Sequence, residues 1–164
     1  MTSFFRPLIA LTVIAFLFLP AAGIAAEKAA DPCSFLTPAE IQEILGKPVK
    51  PGTPKISPSP AAGANCTYVV GDFGSFNILV RPLLAGENPE RIKAEFAKMK
   101  MAPTDLPNLG DRSFFTSPGM GMVQLHTFKG SRFILFTLLV PGANEEAQKA
   151  AAEKLMRIVL SRIK

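Results

Sequence analysis

Cys33 and Cys66 are the only cysteines in the chain, and two isolated thiols can form a disulfide, carry out thiol redox chemistry or bind a metal. A redox pair or a metal site calls for Cys-x-x-Cys spacing, or for further Cys and His close by, and this stretch has neither. A structural disulfide closing the intervening loop is therefore expected, contributing roughly 3 to 4 kcal/mol by loop entropy. His126 is the sole imidazole, so any nucleophile activated by histidine would depend on it. It sits mid-run with Met122, Gln124 and Phe128 at alternate positions, and a structural or surface role is expected. The acids do not group around it: Asp111 belongs to a Leu-Gly-Asp-Arg turn and Glu145-Glu146 to a helix start. No catalytic residue, resident metal or cofactor is assigned.

Two further patterns carry chemical content. Met99-Lys100-Met101 and Met120-Gly121-Met122 are Met-x-Met pairs, with His126 four residues past the second. Thioethers and imidazole suit Cu(I), although methionine also fills irregular gaps in cores. Phe76, Phe114, Phe128 and Phe136 fall on expected strands, where they would line an apolar ligand pocket or, in a chain without Trp, fill the core. Gly119-x-Gly121 lies at an expected hairpin and lacks the following helix that phosphate binding requires.

These groups sit in a 164-residue chain with 18 basic and 13 acidic residues, 48% hydrophobic and 19% charged. That is too apolar for a disordered tail, and 12 Gly without a repeat exclude a collagen-like chain. Residues 1–26 read as a secretory signal: Arg6, then an uncharged run from Leu8 to Leu19, then small residues to Ala26. The run is shorter than the ~20 residues a membrane-spanning helix needs. Cleavage near Glu27 leaves 17 basic against 13 acidic groups, a balance pointing to anionic envelope surfaces rather than to nucleic acid. Residues 27–164 are expected to fold as one domain, periplasmic or secreted, monomeric and without a transmembrane segment.

The elements that must position these groups are well marked. Thr37-Pro38-Ala39-Glu40 is a capping box with Pro at the first helical position, and Leu45-Gly46 ends a helix over 38–45. Five prolines between 47 and 63 predict a loop. Apolar runs at 65–70 and 75–83 flank Gly71-Asp72-Phe73-Gly74 and predict a hairpin. Asn88-Pro89 opens a second helix to about Met101, and a connection follows over 102–110. Strands are predicted at 112–116, 121–128 and 131–140, the last almost continuously apolar and hence central. Asn144-Glu145-Glu146 then starts a helix to Ile163. The expected fold is α+β, an antiparallel sheet of about five strands packed by helices in the order αββαβββα.

Cys33-Ser34-Phe35-Leu36-Thr37-x-x-Glu40, Leu45-Gly46, Cys66-x-Tyr68 and Leu109-Gly110-Asp111 together resemble a family of small exported bacterial domains of unknown function. Many of its members are mycobacterial and other actinobacterial lipoproteins. The resemblance implies a Mog1/PsbP-like α/β sandwich and a binding or scaffolding role. It names no catalytic residues, and this chain lacks the lipidation Cys at the end of the apolar run. The expected function is thus a non-catalytic binding module recognising an envelope protein or an anionic envelope component, with apolar-ligand or Cu(I) binding as the alternative.

Overall fold

A computed structural model describes residues 31–59 and 61–163. The predicted signal at 1–26 lies outside the described residues. A 3-10 turn (Pro32–Ser34) leads into α1 (Pro38–Leu45), followed by β1 (Thr53–Ile56), β2 (Ala64–Val70), β3 (Gly74–Pro82), α2 (Pro89–Lys98), β4 (Thr104–Asp105), β5 (Arg112–Gly119), β6 (Met122–Lys129), β7 (Arg132–Leu139) and α3 (Glu145–Arg162). One antiparallel sheet holds all seven strands in the order β1-β2-β3-β7-β6-β5-β4. The class is α+β, with two strands more than the five expected from sequence.

Both additions are sheet edges. β1 falls inside the proline-rich segment expected to be loop, and all four of its residues are exposed. Pro54 is tolerated there because an edge strand has one side free of ladder bonds. The two-residue β4, placed by pairing with Phe114 and Phe115, falls in the expected connection over 102–110. α2 stops at Lys98 instead of Met101 because Lys100 takes a positive φ of 61°, which an α-helix cannot continue.

α1 begins as its sequence dictates. Glu40 N–H donates to Thr37 Oγ1 at 3.3 Å and Thr37 N–H to Glu40 Oε2 at 2.8 Å, while Gly46 closes the helix at φ 63°. Gly110 answers a different demand: at φ 61°, a Cβ would stand 2.6 Å from the Phe128 carbonyl oxygen. That oxygen accepts from Asp111 N–H at 2.8 Å.

Two layers of helix cover the sheet unequally. On the first face, Ile41 of α1 and Ala152, Leu155, Met156 and Val159 of α3 pack on Tyr68, Phe76, Ile78, Leu125, Phe136 and Leu138. The Phe76 ring meets Tyr68 in a stack at 5.8 Å and Phe136 edge-on at 4.9 Å. On the second face α2 alone is seated, with Ile92 and Phe96 partly buried against Phe114, Phe128 and Phe133. Arg81 lies over the Phe133 ring at 4.7 Å and binds Glu87 through both guanidinium nitrogens at 2.6 and 3.0 Å.

Candidate functional site

Because side chains alternate across a strand, the ladder register assigns each residue to a face. Thr67, Asn77, Thr137, Gln124 and Thr116 are successive partners across β2, β3, β7, β6 and β5, forming one polar row on the second face. Five strands give it a length of about 19 Å. Asn77 Nδ2 donates to Thr67 Oγ1 at 2.7 Å, Gln124 Nε2 to Thr137 Oγ1 at 3.4 Å, and Thr116 Oγ1 to Gln124 Oε1 at 3.3 Å. The neighbouring positions are Asn65, Leu79, Leu135, His126 and Phe114 on one side and Val69, Ser75, Leu139 and Met122 on the other. No charged side chain belongs to these rows, in a chain where 19% of residues are charged.

His126 closes the row at its α2 end. The imidazole has no exposed surface, and its Nε2 lies 2.9 Å from Thr116 Oγ1. With the Thr116 proton on Gln124, Nε2 carries the ring hydrogen and Nδ1 presents a lone pair. That nitrogen has no partner among the described residues. The Phe96 and Phe114 rings stand 4.5 and 4.6 Å away, with Phe133 at 5.9 Å. Burial among these rings pushes the imidazole down to about 3, so it is neutral at ordinary pH. A neutral histidine with no carboxylate bonded to it and no water-accessible edge is poorly arranged for general-base work.

The other sequence candidates are dispersed. Cys33 and Cys66 do form the expected disulfide, with Cα atoms 5.1 Å apart. It anchors the 3-10 turn to β2 on the first face, where the Tyr68 hydroxyl donates to Leu36 O at 2.8 Å and burial raises the phenol to about 12. Asp111 accepts from Gly130 N–H at 2.6 Å and Lys129 Nζ at 3.3 Å, and these contacts hold it below its usual range. Glu145 accepts from Ser117 Oγ at 2.8 Å and pairs with Lys149. These acids therefore serve turns and a helix start.

Of the methionines, Met120 is 91% exposed and Met99 is exposed at the end of α2. Met122 shares a face with His126 but lies four residues along the same strand, about 13 Å of strand rise. A single ion cannot span that interval, so His126 and the Met120-x-Met122 pair do not form one centre. Phe76 and Phe136 belong to the first-face core and Phe114 and Phe128 to the cluster under α2; the four do not line one pocket. An open groove of ≈ 540 Å³ instead borders the end of α1, lined by residues including Gln42, Glu43 and Lys47. It lies away from His126 and gathers no convergent catalytic groups. Among the described residues, no cluster of His, Cys, Asp and Glu could hold a metal ion, and no helix is long and apolar enough to cross a membrane.

Sequence reasoning missed the polar row. Its only signal was that Thr67, Asn77, Gln124 and Thr137 each occupy the same parity within their strands as the less apolar face; pairing order was needed to line them up. No protein-family model matches the chain, and neither the curated proteins nor the solved structures compared with it give a match.

Proposed function

We propose that this protein is an exported, non-catalytic binding module of the bacterial cell envelope, and that its binding element is the part of the second sheet face left open by α2. The observation that carries this reading is the charge-free strip: a hydrogen-bonded row of Thr, Asn and Gln between half-exposed aliphatic side chains. Depletion of charge beside accessible apolar area marks the centre of a recognition surface. Asn77 Oδ1 and the hydroxyl protons of Thr67 and Thr137 are left to hydrogen-bond a neutral partner. The short, proline-bearing β1 and the two-residue β4 make strand addition at the sheet edges unfavourable. Export is supported by the leader-like residues 1–26 and the disulfide, and the envelope role by the resemblance to exported bacterial domains.

The test is titration of the isotope-labelled oxidised protein with a detergent-free envelope extract, following the side-chain amide signals of Asn77 and Gln124. Both are expected to shift with wild-type protein and to stay fixed in a Thr137→Lys variant that retains the native spectrum. Shifts confined to the α1 groove, or turnover of extract components that Thr137→Lys leaves intact, would overturn the proposal.

A further inference from the structure

Turns at one end of the sheet carry apolar side chains that no packing uses. Phe73, in the β2–β3 turn, is 85% exposed, and Met120, in the β5–β6 turn, is 91% exposed. The register places both at the same end: Val70 faces Gly74, Ser75 faces Leu139, Leu139 faces Met122, and Met122 faces Gly119. One strand, β7, lies between the two hairpins, so the turn centres, each midway between its own two strands, stand three strand spacings apart, about 14 Å. Val69, Leu139 and Met122 lie just behind the tips and are at least partly exposed, with the small Ser75 of β3 between Val69 and Leu139 in the same row.

The segment before β1 runs alongside the first turn, since Gly71 N–H donates to Pro48 O at 2.8 Å and Lys50 N–H to Val69 O at 3.0 Å. Lys47 and Lys50 are exposed there, without an ion-pair partner among the described residues. The opposing charges at this end are Asp72 beside Phe73 and, beside the β5–β6 hairpin, Glu145 and Glu146, of which Glu145 accepts from Ser117 Oγ and both pair with Lys149.

The shape of this end selects its occupant. Two side chains exposed to this degree form projections, not a groove, and at about 14 Å no single small apolar molecule touches both. A protein would need two pockets at matching spacing. A penetrable apolar plane receives both without any shape match, and the boundary between lipid headgroups and acyl chains is such a plane. We propose that this end of the sheet docks on a phospholipid bilayer surface, with Phe73 and Met120 inserted and Lys47 and Lys50 at the level of the lipid phosphates. The residues differ from those of the polar row, so this inference stands or falls separately from the binding role of the sheet face.

The chain contains no Trp, which makes Phe73→Trp and Met120→Trp single-emitter reporters. Protein recovered oxidised from the exported fraction, with its N-terminus fixed by mass spectrometry so that the leader does not contribute, is titrated with phosphatidylcholine vesicles with and without one-third phosphatidylglycerol. Both reporters are expected to shift to shorter emission wavelength on vesicle addition, and a Leu84→Trp control in the α2 approach is expected to stay unshifted. Co-sedimentation is expected to fall at least about tenfold in a Phe73→Ser/Met120→Ser double variant and to weaken with salt in Lys47→Gln/Lys50→Gln less than in wild type. Absence of a shift, an equal shift in the control, or unchanged sedimentation of the double-serine variant overturns the proposal. Lipid-free self-association abolished by Phe73→Ser would also overturn it, in favour of a second copy as occupant.

Discussion

Thr116 Oγ1 and His126 Nε2 are 2.9 Å apart, and among the described residues this contact is the imidazole's one hydrogen bond within an enclosure of phenylalanine rings. The unfolded imidazole gains a proton near pH 6.5, whereas the folded one resists until about 3. Between those values the unfolded chain binds more protons, so the stability is complete above 6.5 and is lost as pH falls towards 3. The loss is about 2 kcal/mol at pH 5. Since His126 is the only histidine, urea midpoints at pH 5 and 7.5 isolate it; His126→Phe is expected to flatten the difference, and an unchanged slope would refute this account.

The disulfide and Tyr68 hold the N-terminal turn on the first face together. Cys66→Ser is expected to cost about 3 to 4 kcal/mol under oxidising conditions, as the 33-residue separation implies. Tyr68→Phe removes the hydroxyl bond to Leu36 O and should cost about 1 kcal/mol. Denaturant titration of oxidised and reduced protein checks both; equal stability of the two redox forms would contradict the assignment.

Arg162 near the end of α3 reaches Phe35 O at 2.6 Å and Glu40 Oε1 at 2.5 Å. Its hydrogen bond, then that of Thr37 N–H, lowers the Glu40 carboxyl to about 2. The resulting stability is present above pH 4.5 and lost as pH falls from there towards 2. Both side chains are partly exposed, so a double-mutant cycle with Glu40→Gln and Arg162→Ala should return a small favourable coupling at pH 7. It should vanish near pH 2.

Gln148 is the buried amide that seats α3. Its Oε1 accepts from Val140 N–H at 3.0 Å and its Nε2 donates to Gly121 O at 3.0 Å. Gln148→Ala leaves a buried N–H unpaired and is expected to cost about 2 to 3 kcal/mol. Faster amide exchange at Val140 than in wild type is the local signature, and its absence would show that another acceptor takes over.

Local chemistry carried much of this fold in the open. Thr37, Pro38 and Glu40 wrote α1 because a capping box is satisfied within four residues. The unbroken apolar run of β7 marked the centre of the sheet, where it now lies between β3 and β6. β1 was hidden because Pro54 and the prolines flanking it outweigh any strand signal and only pairing with β2 confers one. β4 was hidden because two residues have no periodicity to read.

Function follows the same division. The cysteine pair, the helix caps and the apolar strands were determined by residue type and spacing, since disulfides, caps and period-2 burial depend on few neighbours. Tertiary structure alone decided that Thr67, Asn77, Thr137, Gln124 and Thr116 form one row, that His126 is enclosed by Phe96 from α2, and that Phe73 and Met120 share one end of the sheet. The physical reason is that strand order, β2-β3-β7-β6-β5, is set by burying a common core over long sequence separations. No local pattern encodes which strand becomes whose neighbour.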